Sequence, residues 1–296
     1  MVGFVLSFEG NDADDHELDF YDAAQAMVGF QRSLAVTTHL VLNGQVITQA
    51  PSLKNARIVV IPPLEGSWKV KASIVGSLLV GAYSVGTAPT DTPLGHLVHS
   101  AYDYVIAESL GFHVDYEKSL GEQYEELKKQ GVANLPHLDQ SRFDSVIEKC
   151  ERSVVEMHRP IVKSATATSA QISYFNNRGE YRFDYRLSAS SYDYMVEDIR
   201  DIQPEDILGR ISSYNINTYK GRVYVEGERR SIPFVLGDQA RGIDEVSQVT
   251  GSLSRNAAGR SYEGGDFYFR AFANRSKNGR LKYYHIVEVL DPYPGV

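Results

Sequence analysis

The chain is poor in cysteine and has no long apolar run. A single Cys among 296 residues excludes a disulfide framework and any metal site that needs several cysteines, and it is typical of a reducing compartment. The most apolar stretch, residues 73–88, contains three glycines and is shorter than the ~20 residues that a membrane helix needs. We therefore expect no membrane contact.

The remaining composition is that of a globular protein. Hydrophobic residues make up 43% of the chain and charged residues 23%, which excludes fibrous, collagen-like and wholly disordered classes. The first nine residues lack the basic start and the small-residue cleavage site of a signal peptide, and they are predicted to form a strand. We expect a cytoplasmic protein that is long enough for two domains.

The N-terminal part is predicted to pack helices on a small sheet. A helix over residues 19–43 begins at Asp19, which can cap it, and ends at Asn43-Gly44, with apolar residues at steps of three and four between. The other predicted elements before residue 165 are strands at 56–61 and 67–74 and helices at 92–110, 120–130 and 139–158. The last helix carries a heptad-like apolar seam of Phe143, Ile147, Cys150, Val154 and Met157. The predicted first domain is residues 1–165.

The C-terminal part is predicted to be a small β-barrel. Residues 166–206 are interpreted as a β-hairpin followed by an acidic connector, and residues 207–296 as the barrel domain. Its elements are strands at 207–214, 221–225 and 231–236, a helix at 239–253, and strands at 266–273 and 281–290. Strand, strand, strand, helix, strand, strand is the order of the five-stranded oligonucleotide/oligosaccharide-binding (OB) barrel. The expected class is therefore α+β.

Four short segments of the N-terminal half carry a family resemblance. They are Phe8-Glu9-Gly10, Leu18-Asp19-Phe20-Tyr21-Asp22, Gly29-Phe30-Gln31-Arg32 and Glu65-Gly66-Ser67-Trp68. In these segments the chain resembles the N-terminal part of uncharacterised bacterial proteins. The resemblance implies a bacterial or phage source, and it carries over no catalytic or binding residue.

Charge is distributed unevenly along the chain. Residues 207–290 contain 13 Lys and Arg against 8 Asp and Glu, whereas residues 1–206 contain 17 against 29. The alternation of the predicted strands places aromatic and cationic side chains on one barrel face, which the closing hairpin extends. The residues of this predicted site are Arg222, Tyr224, Tyr268, Arg270, Arg275, Lys277, Arg280 and Lys282. Stacking surfaces beside cations suit single-stranded nucleic acid or a nucleotide.

We therefore expect a non-catalytic binding protein that needs no cofactor. One alternative is a self-associating protein whose basic barrel face meets an acidic partner surface. Another is a metal-dependent hydrolase that uses His96, His99 and Asp103, which lie at i, i+3 and i+7 on one predicted helix. Cys150 is expected to be a core thiol, and the acidic loop at residues 12–17 a solvated loop rather than a cation site.

Overall fold

The chain divides into two units, Met1–Val196 and Glu197–Val296. The computed structural model describes residues 2–61, 68–76, 79–80, 83–84, 93–129, 135–176, 179–228, 230–258 and 265–290. Half of the apolar stretch at residues 73–88 lies outside this description. In the described part of the chain, no helix is long and apolar enough to cross a membrane.

The first unit consists of helices and one five-stranded sheet. Its strands are β1 (Val2–Glu9), β2 (Ala56–Ile61), β3 (Lys69–Gly76), β4 (Leu79–Val80), β5 (Tyr83–Ser84), β6 (Ser169–Asn176) and β7 (Gly179–Leu187). Its helices are α1 (Phe20–Asn43), α2 (Pro93–Ser109), α3 (Glu122–Lys129), α4 (Gln140–Met157), α5 (Arg159–Val162) and α6 (Ala189–Val196). The sheet order is β2-β3-β1-β6-β7, with every neighbouring pair antiparallel, and β4 pairs with β5 in a separate short hairpin.

The long helix α1 follows the predicted boundaries. The Asp19 side chain accepts a hydrogen bond from the Asp22 backbone N–H, and Gly44 ends the helix at φ 64°, a conformation that glycine adopts without strain. Along the predicted seam of α4, Phe143, Cys150 and Val154 are fully buried. Helix α4 packs against α1 and α2, so the seam is covered within the unit.

The hairpin of β6 and β7 belongs to the first unit. Strand β6 pairs with β1 along most of its length, from Gly3 opposite Phe175 to Glu9 opposite Ser169. The sequence pattern separated this hairpin from residues 1–165, because alternation identifies a strand but not the strand with which it pairs. The structural boundary lies instead between Val196 and Glu197.

The second unit is a closed five-stranded β-barrel with one helix. Its elements are β8 (Ile199–Arg200), β9 (Glu205–Asn215), β10 (Lys220–Val225), β11 (Arg230–Leu236), α7 (Ile243–Ala258), β12 (Asp266–Arg275) and β13 (Leu281–Leu290). The strands run in the order β13-β11-β10-β9-β12, and β12 pairs with β13 to close the barrel. Only the β11–β13 pair is parallel among these described strands. This arrangement confirms the α+β class and the OB-like barrel.

Alternation along the barrel strands explains its core. On β12, Phe267, Phe269 and Ala271 are buried and their neighbours are at least partly accessible. The inward residues of β9, β10, β11 and β13 complete the same apolar cluster. The side chains of the opposite register therefore form the outer face of the barrel, where the predicted site lies.

Candidate functional site

The outer face of β9, β10 and β12 carries rows of cross-strand neighbours. In one row, Tyr224 lies opposite Arg210, and Arg210 lies opposite Asp266, with 3.1 Å between Arg210 Nε and Asp266 Oδ1. In the next row, Tyr268 lies between Leu208 and Leu290. Tyr224 is 40% exposed and Leu208 43% exposed. Strand β9 thus separates the two tyrosines of the predicted site, and both lie on the outer face.

Arg222 is the member of the predicted site that does not reach the surface. It is only 4% exposed. Arg222 and Tyr224 alternate with Val223 along β10, and Arg222 and Val223 are both buried. The register shift between β9 and β10 skips Ser212, so the extra residue of this bulge lies on β9 and the alternation of β10 is uninterrupted. Arg222 is therefore on the strand face of Tyr224, but its side chain is buried whereas that of Tyr224 is accessible.

Arg270 is engaged in three charged hydrogen bonds. Its Nε and Nη2 donate to the two carboxylate oxygens of Asp206 at 2.7 and 3.0 Å, and its Nη1 donates to Glu288 Oε2 at 2.9 Å. The hydrogen bond from Arg270 lowers the pKa of Asp206, because it stabilises the ionised carboxylate. The guanidinium is thus neutralised by two residues of its own barrel.

The cations of the closing hairpin also have acidic neighbours. Arg275 Nε lies 3.0 Å from Asp201 Oδ2, and Lys282 Nζ lies 2.5 Å from Asp198 Oδ1. Lys277 Nζ lies 3.5 Å from Glu197 Oε1. Arg280 is exposed at the tip of the hairpin. These acidic partners all come from the stretch that the sequence pattern interpreted as a connector.

This acidic stretch changes the charge of the second unit. Residues 197–296 contain 14 Lys and Arg and 14 Asp and Glu, so the unit is electrically neutral at pH 7. The excess of positive charge in residues 207–290 disappears when the structural boundary replaces the predicted one. The hairpin therefore carries a cluster of cations, and carboxylates of the same unit neutralise them.

The three candidate ligands of α2 lie in different environments. His96 is exposed, whereas His99 is buried, stacked on Tyr174 with ring centroids 4.3 Å apart and edge-on to Phe4 at 5.2 Å. Asp103 Oδ1 accepts a hydrogen bond from the Tyr185 hydroxyl at 2.8 Å. Over the residues that the structure describes, no group of three or more His, Cys, Asp or Glu is placed to hold a metal ion. The geometry gives no support to the hydrolase alternative.

Two other sequence candidates have structural roles. Cys150 is fully buried, and burial raises the pKa of its thiol to about 12, so it is protonated at neutral pH. The acidic loop forms a 3₁₀ turn, Asn11–Asp15, in which Asp14 Oδ1 accepts the Gly10 backbone N–H at 2.7 Å. This carboxylate satisfies the backbone of its own turn.

Two features of the barrel surface were missed by sequence reasoning. Arg210 is 51% exposed at its side chain and stands beside Tyr224, and the Arg200 guanidinium lies 3.8 Å above the Phe272 ring. The alternation of β9 could have identified Arg210, since Leu208 and Arg210 share the face opposite the buried Ile207 and Ile211. Nothing in the local pattern around Arg200 indicates a partner more than seventy residues away.

Family comparison covers both units. Residues 4–195 match the family described as a domain of unknown function, DUF7946. The chain belongs to the DUF7946 family. Residues 203–290 match a second family of unknown function, DUF7947, so the barrel corresponds to a separate family. No curated protein and no solved structure matches the chain.

Proposed function

We propose that the barrel binds single-stranded nucleic acid, or a nucleotide, without catalysing a reaction on it. The observation that carries the proposal is the OB strand order, combined with an exposed tyrosine on β10. Barrels of this order bind oligonucleotides and oligosaccharides across their second and third strands and the adjoining loops. Here those strands are β10 and β11, and the loops are residues 216–219 and 276–280. The fold alone does not select a ligand, so the side chains have to carry the specificity.

Those side chains suit a phosphate-bearing aromatic ligand. Tyr224 presents a partly exposed ring on β10, and Tyr268 presents a partly accessible ring two strands away. Lys277 and Arg280 lie in the loop of residues 276–280, and Arg275 and Lys282 flank it. Bases stack on aromatic rings in a sequence-tolerant way, while cations neutralise the phosphates. We also propose that the protein is located in a reducing bacterial cytoplasm. Its single cysteine, a buried free thiol, supports this location.

Binding of a labelled oligothymidylate of about 15 nucleotides tests the proposal by fluorescence anisotropy. We expect Tyr224→Ala and Tyr268→Ala each to weaken binding by ~1–3 kcal/mol and to leave its salt dependence unchanged, because a stacked ring carries no charge. Arg275→Ala should flatten the dependence of log affinity on log salt by about 0.7 for each phosphate that the variant no longer neutralises.

The matched control is Tyr181→Ala. Tyr181 lies on β7 of the other unit and is 40% exposed, the same fraction as Tyr224. Its replacement should not change oligonucleotide affinity. Equal losses of affinity for Tyr181→Ala and Tyr224→Ala would contradict stacking on the barrel.

Self-association is the second candidate function. It is favoured by the neutral charge of the second unit and by the exposure of two isoleucines near its start, Ile199 at 51% and Ile202 at 96%. Sedimentation velocity of the protein alone separates the two candidates. A sedimentation coefficient that rises with concentration, together with no oligonucleotide binding at low salt, would favour this function over nucleic-acid binding.

A further inference from the structure

We propose that residues 197–204, named here the acidic strap, occupy the cationic surface of the β12–β13 hairpin and must be displaced before a nucleic acid can bind there. The inference rests on the proposed function and adds regulation to that site. The strap acts as an internal competitor, because its carboxylates occupy the positions that the phosphates of a ligand would take.

The first observation is that the strap pairs with one cation after another along the hairpin. Each of its carboxylates at positions 197, 198 and 201 lies within ion-pair distance of a different cation of the predicted site. The pairs are Glu197 with Lys277, Asp198 with Lys282, and Asp201 with Arg275. A linear array of anions along a basic surface is the pattern that a phosphate backbone presents.

The second observation is that backbone contacts hold the strap in a defined register. Strand β8 pairs antiparallel with β12, with Arg200 opposite Asn274 and Ile199 opposite Arg275. The Asp201 backbone N–H donates to Ala273 O at 2.9 Å, and Lys282 Nζ donates to Glu197 O at 3.0 Å. The ladder is two residues long, so it sets the position of the strap with few hydrogen bonds.

The third observation is that the strap has little apolar anchoring. Ile199 and Ile202 are both exposed, and the paired strap carboxylates are about one third to one half accessible to solvent. Accessible ion pairs each contribute little and weaken as salt rises. A strap held in this way can exchange with another polyanion, whereas a strap with buried isoleucines could not do so without exposing apolar surface.

The test compares two variants of the full chain that have the same net charge. The strap variant is Glu197→Gln, Asp198→Asn and Asp201→Asn. The control variant is Glu226→Gln, Asp244→Asn and Glu245→Gln, which removes three accessible carboxylates elsewhere in the same unit. Both variants raise the net charge by the same amount, so any difference between them comes from position.

We expect the strap variant to bind oligothymidylate about tenfold more tightly than the control variant, because three weak competing ion pairs are absent. Its slope of log affinity against log salt should be steeper than that of the control by up to about 2, since a strap carboxylate no longer competes with phosphates at each of three cations. Equal affinities and equal slopes in the two variants would overturn the proposal that the strap competes with the oligonucleotide. Absence of binding in every protein, including the strap variant, would overturn the proposed function as well.

Amide hydrogen exchange provides a second measurement on the wild-type chain. The Asp201 N–H is protected by its bond to Ala273 O, so displacement of the strap should accelerate its exchange when oligothymidylate binds. Exchange that stays slow while the oligonucleotide is bound would show that the ligand leaves the strap in place. This result does not depend on whether the triple variant folds.

Discussion

Acidification from pH 7 to pH 4 is expected to lower the unfolding free energy of the first unit by about 3 kcal/mol for each of two buried histidines. Burial lowers the pKa of His99 to about 4 and that of His158 to about 4, because the imidazolium form is poorly solvated there. Both pKa values lie below the unfolded value of 6.5, so the unfolded chain binds more protons between pH 4 and 6.5. The stability contributed by the neutral rings is therefore complete above pH 6.5 and is lost as the pH falls towards 4.

The two histidines differ in their hydrogen bonding. His158 Nδ1 lies 2.8 Å from Val154 O, and its Nε2 lies 2.9 Å from Ser191 Oγ, so the neutral ring is fully satisfied. Among the residues that the structure describes, neither ring nitrogen of His99 has a hydrogen-bond partner between the Phe4 and Tyr174 rings. A phenylalanine at position 99 would thus remove the free-energy cost of burying two ring nitrogens without hydrogen bonds, and it would also remove a group that titrates.

Urea unfolding followed by Trp68 fluorescence measures this prediction. Trp68 is the only tryptophan of the chain and packs edge-on against Phe8 in the first unit. We expect His99→Phe to remove about half of the acid-dependent loss of stability and to be at least as stable as wild type at pH 7. The prediction would be contradicted if the unfolding free energies of wild type and His99→Phe had the same pH dependence. It would also be contradicted if NMR showed His99 titrating near pH 6.5.

Replacement of Phe269 by alanine is expected to destabilise the barrel by about 3–5 kcal/mol. Phe269 is fully buried on β12, stacked beside Phe267 with centroids 5.3 Å apart and edge-on to Tyr284 at 5.9 Å. The truncation leaves a cavity in the apolar cluster of a small unit. A domain is usually stable by only about 5–15 kcal/mol, so a large part of its stability is lost.

Hydrogen exchange with mass spectrometry on the full chain locates this effect. We expect faster exchange in peptides from β9, β12 and β13 for Phe269→Ala. The control is Tyr224→Ala, whose ring lies on the outer face of the same barrel, and it should change exchange much less. Similar exchange in the two variants would mean that Phe269 does not support the barrel core.

Much of the fold was determined by local patterns in the sequence. Asp19 and Gly44 delimit α1 because capping needs a side-chain acceptor at one end and a left-handed residue at the other. Alternation along β9 to β13 identified each barrel strand and their order, since one side of every strand must face the core. These features depend on residues that are close together in the chain, so they can be predicted from it.

The candidate site was only partly predictable. Local alternation places Tyr224 on the outer face, but it cannot reveal that Arg222 is buried on that face, because burial depends on contacts with other segments. Likewise, the acidity of residues 197–206 is visible in the sequence, whereas their neutralisation of Arg275 and Lys282 is not. Ion pairing follows from distance in space, and the β8–β12 ladder brings together residues more than seventy positions apart.

Short-range periodicity and capping, both visible in the sequence, define the helices, the barrel strands and the outward position of most candidate side chains. Three features emerge only in the folded chain: the β6–β7 hairpin joins the sheet of β1, His99 is buried between Phe4 and Tyr174, and the acidic stretch lies on the basic hairpin. The physical reason is that strand partners, burial and charge neutralisation are set by contacts between distant segments, and a local pattern contains no information on which segments meet.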